Sequence, residues 1–321
     1  MSRDQYIYAV ARIRTRELSL LNGAVMEQLA AAPSEEDCLR LLQAKGWGGR
    51  GQGAQEILEE EEEKTWALLE ELAGGLSLFA VFLRENDYHN VKAAVKEACT
   101  GGEHPGIYKK RATISGEEIE RALTKREPET LPEPFRATAE YAMRVLLQTR
   151  DGQRCDAIVD RASLIAIRQE GAQSGSSLLR EYGERTAALC NVKIAMRCAL
   201  TGQSLSFIEE SLAPCGAFEE KSMAKAAAAG SEALFAYLRE NGMEEAAETL
   251  RISYTEFERW CDNELIRMIR PQLTNCFGPD PLAAYLLARQ MEIKSVRMIL
   301  AGKRNALPET AIRQRVRETY V

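Results

Sequence analysis

Histidine is the first residue type to look for, because it is the side chain whose proton changes hands near neutral pH. The chain has two, His89 and His104. That number excludes a zinc site built on histidine pairs, and Ser-His-Asp or Cys-His chemistry would have to use one of these two. His89 lies in a local pattern that recurs twice more, where its place is taken by Cys190 and Lys294. A position that varies so freely reads as structural or solvated. The eight cysteines, Cys38, Cys99, Cys155, Cys190, Cys198, Cys215, Cys261 and Cys276, include no C-x-x-C pair, so a cysteine-only metal site lacks its usual spacing. The glycine-rich stretch Gly46 to Gly53, GWGGRGQG, suggests a phosphate cradle. It lacks the Gly-Lys-Ser/Thr step of a P-loop and follows no strand, so it reads as a flexible connector. Glu59 to Glu63 is a run of five acids before Lys64. Such a run can hold a cation or a basic partner, but it also suits the wet face and first turn of a helix continuing through Trp66, Leu69 and Leu72. No Asp-Asp-x-x-Asp motif of an all-α lyase occurs. The expectation is a chain with no catalytic, cofactor-binding or metal-ligating residue.

The elements that would have to position any such chemistry are set by composition and periodicity. The chain has 321 residues, 45% of them hydrophobic and 28% charged, enough apolar material for a true core. Its net charge of −6 argues against a nucleic-acid clamp, which needs a basic face; Arg12, Arg14 and Arg16 read as a solvated helix face. The start, Met-Ser-Arg-Asp, lacks the apolar core of a signal peptide, and no run of 18 or more apolar residues occurs. The thiols are therefore expected to be reduced, mostly buried small residues in a cytoplasmic protein.

Helix signals dominate. Ser34 precedes a segment running through Leu39, Leu41 and Leu42 to a stop at Gly46. Ser115-x-x-Glu118, Ser206-x-x-Glu209 and Ser253-x-x-Glu256 have the form of capping boxes, and Pro308-Glu309 suits a first helical turn. Sustained alternation of apolar and polar residues is missing; Thr113 and Ile114 mark at most one short extended piece. Breaks fall at Gly46 to Gly53, at Thr100 to Gly116, which holds Gly101, Gly102, Pro105 and Gly106, and at Glu127 to Pro134. The fold class is all-α.

One pattern occurs three times: Asp87-Tyr88-His89-Asn90-Val91-Lys92, Ala188-Leu189-Cys190-Asn191-Val192-Lys193 and Glu292-Ile293-Lys294-Ser295-Val296-Arg297. The basic residues Lys92, Lys193 and Arg297 are 101 and then 104 positions apart. At offsets 0, 3, 7 and 10 the first copy has Tyr88, Val91, Val95 and Ala98, and the second Leu189, Val192, Met196 and Ala199; the third has Ile293, Val296 and Leu300, then breaks at Lys303. That spacing makes one apolar stripe on a helix, with the basic residue just off it. Each copy runs on to a glycine, Gly101, Gly202 or Gly302, and then to a short amphipathic segment, Ile119 to Leu123, Ile208 to Leu212 or Ile312 to Val316. The unit reads as helix, glycine stop, loop and short helix. A period near 100 exceeds the roughly 20 to 50 residues of common solenoids, so three such units suggest a pseudo-threefold body.

The residues carry a resemblance. Glu292 to Val321, EIKSVRMILAGKRNALPETAIRQRVRETYV, resembles the C-terminal signature of the family of the V-type ATPase and ATP synthase C subunit, called the d subunit in eukaryotes. Tyr8 to Trp47 is similar to that family's opening helices, and the Asn-Val-Lys steps at Asn90 and Asn191 and the Cys-Asp steps at Asp156 and Asp262 match its internal pattern. The chain departs from the pattern at Ala188, where the family usually has an acid, and at Ser295, which stands for asparagine. The resemblance implies three similar helical domains, here 1–126, 127–217 and 218–321, arranged as a funnel. It implies a non-catalytic central-stalk component on the cytoplasmic face of the membrane, without a span of its own. Its partners would be the shaft subunits D and F and the membrane rotor ring, with no nucleic acid, and its task would be to transmit torque for ATP-coupled proton or sodium transport. Lys92, Lys193 and Arg297 would be repeat-equivalent residues that line the funnel or tie helix to helix. Read without the resemblance, the same residues also suit a helical scaffold or adaptor that binds a partner's helix, or an all-α enzyme with an acid-lined pocket.

Overall fold

The computed structural model describes residues 3–49, 51–102, 104 and 106–321; Met1 and Ser2, Arg50 of the glycine-rich connector, and Glu103 and Pro105 of the second break lie outside the described residues. Among those described there is no strand. The helices are α1 (Arg3–Glu17), α2 (Gly23–Ala31), α3 (Glu35–Ala44), α4 (Ala54–Ala73), α5 (Ala80–Thr100), α6 (Gly116–Thr124), α7 (Phe135–Thr149), α8 (Gly152–Gln173), α9 (Ser177–Thr201), α10 (Leu205–Ser211), α11 (Glu220–Ala229), α12 (Ser231–Glu240), α13 (Glu244–Ile252), α14 (Tyr254–Ile269), α15 (Asp280–Arg304) and α16 (Glu309–Arg313). None is long and apolar enough to cross a membrane.

Helix starts follow the side chains that satisfy the free amides of a first turn. Ser34 Oγ accepts from Asp37 N at 3.1 Å, Ser115 Oγ from Glu118 N at 3.1 Å and Ser253 Oγ from Glu256 N at 3.0 Å. The expected cap at Ser206 moves by two residues. Ser204, whose backbone is extended, accepts from Phe207 N at 3.3 Å, and Ser206 lies inside α10.

The chain divides into two compact units: Met1–Leu78 with Glu248–Val321, and Phe79–Ala247. The first is assembled from both ends of the sequence. Its core joins Leu29, Cys38, Leu42, Trp47, Ile57 and Leu58 to Ile293, Val296, Ile299 and Leu300 of α15 and Ile312 of α16. The second unit is continuous, and a core cluster in it joins Tyr88, Val91 and Val95 of α5 to Ile119 and Leu123 of α6, Phe135 and Ala139 of α7, and Cys155 and Val159 of α8. In both, the stripe predicted by the repeat is the face that is buried, and each fully buried aliphatic side chain of this kind contributes about 1.5–3 kcal/mol. Helices α8 and α9 approach through glycine: a Cβ on Gly171 would lie 2.4 Å from Leu179 O, and one on Gly183 would lie 3.0 Å from Ile167 O.

The helix stops match the repeat at two of its three copies. Gly101 and Gly202 close α5 and α9 in the left-handed conformation, φ 69° and 64°. Gly302 is no stop. It lies inside α15, where a Cβ would come within 2.7 Å of Ile312 Cγ1, so its smallness serves packing. The left-handed residue is Ala306, φ 51°, 13 positions after Ile293, as Gly101 is after Tyr88 and Gly202 after Leu189. The register of the repeat is kept and the residue type is not. Leu307 N donates to Gly302 O at 2.9 Å, as Gln203 N donates to Cys198 O at 3.1 Å, the bond that closes a Schellman cap.

Candidate functional site

The stripe of α15 carries on its flank a buried charged node. Arg289, Glu61 and Glu292 are each less than 10% exposed. The Arg289 guanidinium donates through Nη2 to Glu61 Oε2 at 2.7 Å, through Nη1 to Glu292 and through Nε to the Thr65 hydroxyl at 3.3 Å. Its central carbon lies 4.9 Å from the Trp47 ring centroid. Glu292 also accepts from the Leu21 amide. Burial pushes the Glu292 carboxyl up to about 7, against the opposing pull of Arg289 and the Leu21 amide; Glu61, the second acid on the same arginine, adds to the rise.

The same chemistry recurs on α5, in the other unit. Arg84 donates through Nη1 to Asp87 at 3.0 Å and to the Thr113 hydroxyl at 3.1 Å, and through Nη2 to Glu170 at 2.7 Å. It lies 5.7 Å from the Phe135 ring centroid. Asp87 then accepts from the Thr113 amide at 2.5 Å. In each node an arginine holds the acid three residues on, a glutamate from another helix, a threonine hydroxyl and an aromatic face. Arg84, Arg185 and Arg289 stand 101 and 104 positions apart, the repeat's own spacing. The third arginine, Arg185, has Ala188 where the others have an acid, and it pairs with Glu181 at 3.0 Å. Sequence reasoning centred on the valine step missed this arginine, although its spacing was there to be read.

The basic residues singled out from sequence differ in exposure at the third copy. Lys92 is half-buried and pairs with Asp160 of α8, Lys193 is half-buried, and Arg297 is exposed. On α15 the helix-to-helix pair is made by Lys294, 2.7 Å from Asp262 of α14. The asparagine of the motif does more than its lysine. Asn90 bridges both backbone groups of Lys109, accepting at 2.7 Å and donating at 3.0 Å. Asn191 does the same to Ala213 at 2.9 and 2.6 Å.

Other expectations resolve locally. His89 bonds the Ile107 carbonyl at 3.0 Å, and His104 lies 3.4 Å from Glu97. Of the acidic run, Glu61 points inward while Glu59, Glu62 and Glu63 are exposed. Arg12, Arg14 and Arg16 are not one solvated face. Arg14 pairs with buried Glu17 and donates to the carbonyls of Gln272 and Asn275 at 2.6 Å, Arg12 pairs with Glu71 at 3.4 Å, and Arg16 is exposed. All eight thiols are free, four of them buried.

Above the Arg289 node, α1, α4 and α15 enclose a half-open cleft of about 640 Å³. Arg12, Arg16, Lys45 and Lys64 are among its lining residues, with Trp47 and Tyr285. The node and the cleft have the makings of a stiff packing element and a charged surface.

Comparison with known proteins is consistent with that chemistry. The sequence profile of the ATP synthase (C/AC39) subunit family matches residues 9–315. The C subunit of the V-type sodium ATPase of Enterococcus hirae is 24% identical over 96% of this chain and 97% of its own length. The C subunit of the V-type ATP synthase of Thermus thermophilus is 26% identical over 56% of this chain and 58% of its own.

Proposed function

Because the chain belongs to the ATP synthase (C/AC39) subunit family, and so is a component of a rotary V-type ATPase or synthase, we propose that it is the non-catalytic central-stalk member of that assembly. In this reading it docks the shaft subunits D and F onto the membrane rotor ring from the cytoplasmic face and passes torque between ATP chemistry and proton or sodium movement. The observation that carries the reading is the extent of the family match, residues 9–315 of 321.

Three features support it. A torque-bearing part must resist shear, and nodes such as the half-buried Arg84–Asp87–Glu170 and the buried Arg289–Glu61–Glu292 lock helices by directional, charge-assisted bonds. An assembled component keeps apolar side chains for its partners. Leu18 is 88% exposed and, with Leu273 and Val321, lines an open groove. The Arg-x-x-acid positions at Arg84 and Arg289 recur with the spacing of the Asn-Val-Lys step. With that step they favour three related segments, 1–126, 127–217 and 218–321, in a pseudo-threefold funnel, a partition by repeat rather than by packing. Lys92, Lys193 and Arg297 belong to the same register.

The test is a tagged pull-down from native membranes in mild detergent, with the partner chains identified and ATP hydrolysis assayed. Recovery of a hydrolysing complex that contains shaft and ring subunits is expected. Recovery of a soluble partner without ATPase would replace this reading by that of a helical scaffold.

A further inference from the structure

We propose that the cleft between α1, α4 and α15 is a docking site for an acidic segment of a partner protein. The cleft is a local reversal of the molecule's charge. The chain carries −6 overall, yet this concavity is lined by Arg12, Arg16, Lys45, Lys64 and Arg289 against Glu61 and Glu71. The acids are already used: Glu61 is bound by Arg289 and Lys64, and Glu71 by Arg12. Among the described residues, neither Arg16 nor Lys45 forms an ion pair, and both are exposed. The unspent charge of the site is therefore positive and on its rim. Lys64 is half-exposed, at 50%, on bonds to Glu60 and Glu61 that solvent reaches, so it can turn to an incoming carboxylate at little cost.

The wall chooses among anions. Ala67 and Leu68, with the edges of the buried rings of Trp47 and Tyr285 behind them, give the cleft an apolar side. An apolar surface beside cations lowers the local dielectric and strengthens charge pairing for a ligand that covers it. A volume of about 640 Å³ fits a ligand-sized body, in the range of about 300–1,000 Å³, and is far more than one phosphate or acetate fills. Nucleic acid would need a basic stripe extending beyond the cleft, whereas the chain as a whole carries −6. A short stretch of protein with two or more carboxylates and some apolar surface satisfies every wall.

The inference is independent of which assembly holds the chain. A benzophenone amino acid placed at Ala67, an exposed lining residue, is photoactivated in the cells that make the protein, and the cross-linked peptide is sequenced. The expected product is a peptide from another protein with at least two Asp or Glu near the cross-link. Its yield should fall about tenfold in Arg16→Glu with Lys45→Glu and less in Arg16→Gln with Lys45→Gln. Circular dichroism melting checks that both variants keep the fold, as exposed substitutions should. Absence of a cross-link, a peptide poor in acids, or a yield indifferent to charge reversal would each overturn the proposal. If the chain copurifies with ATPase while Ala67 captures nothing, this inference fails and the rotary reading stands. If Ala67 captures an acidic segment while no ATPase copurifies, the reverse holds.

Discussion

Arg289 is shared by two buried carboxylates, Glu61 and Glu292, and burial decides how Glu292 titrates. Leaving water disfavours the charged form of Glu292 more than Arg289 and the Leu21 amide favour it, and Glu61 adds to the effect, so Glu292 holds its proton up to about 7. Its folded-state value lies above the ordinary 4.5, so the proton favours the folded state. That stabilisation is complete below about 4.5 and is lost as pH rises through about 7, and its size is on the order of 3 kcal/mol. Denaturant midpoints for the wild type should therefore drop between about pH 4.5 and 7 relative to Glu292→Gln, whose amide cannot titrate, and level off above that. Parallel curves would show that the node is ionised throughout. The asparagines act more simply. Asn191→Ala strips two bonds from the Ala213 backbone and leaves buried polar groups unpaired, for a loss of about 2–4 kcal/mol. Asn90→Ala should cost a similar amount, read by chemical unfolding.

Among the elements, the left-handed stops are the places where residue type and backbone disagree. Alanine at φ 51° carries roughly 1 kcal/mol of strain that glycine at 64° or 69° does not. Ala306→Gly should raise stability by about 0.5–1 kcal/mol, and Gly202→Ala should lower it by about 1 kcal/mol. Gly302→Ala acts by another route, because a Cβ there meets Ile312. It is expected to loosen α16 on α15, and hydrogen exchange at Ile312 to Val316 would report it. If Ala306→Gly lowers the melting temperature, the assignment of the stop to 306 is wrong.

At the scale of the molecule, the two units differ in how the chain supplies them. Phe79–Ala247 is continuous, whereas the other unit takes part of its core from Ile293, Val296, Ile299 and Leu300, more than two hundred residues after Ile57. A fragment spanning 79–247 should be helical by circular dichroism and unfold cooperatively. Residues 1–78 alone should not, because they lack the apolar face of α15 that covers them. A cooperative transition in the 1–78 fragment would contradict this account of the core.

Much was legible beforehand because helical periodicity and capping are local. The stripe Tyr88–Val91–Val95, the caps at Ser34, Ser115 and Ser253 and the all-α class depend on residues within a few turns of each other. The repeat register was equally readable, and with it the family resemblance. What tertiary structure alone decided were the partners of charges. Glu61 is one of five consecutive acids that look alike in sequence, and only its place opposite Arg289, 228 residues away, makes it a buried ligand rather than a wet one. The same holds for Gly302, whose neighbour Ile312 turns an apparent stop into a packing contact. Periodicity tells which face is buried; what that face meets is settled by long-range packing, where desolvation and fit outweigh local preference.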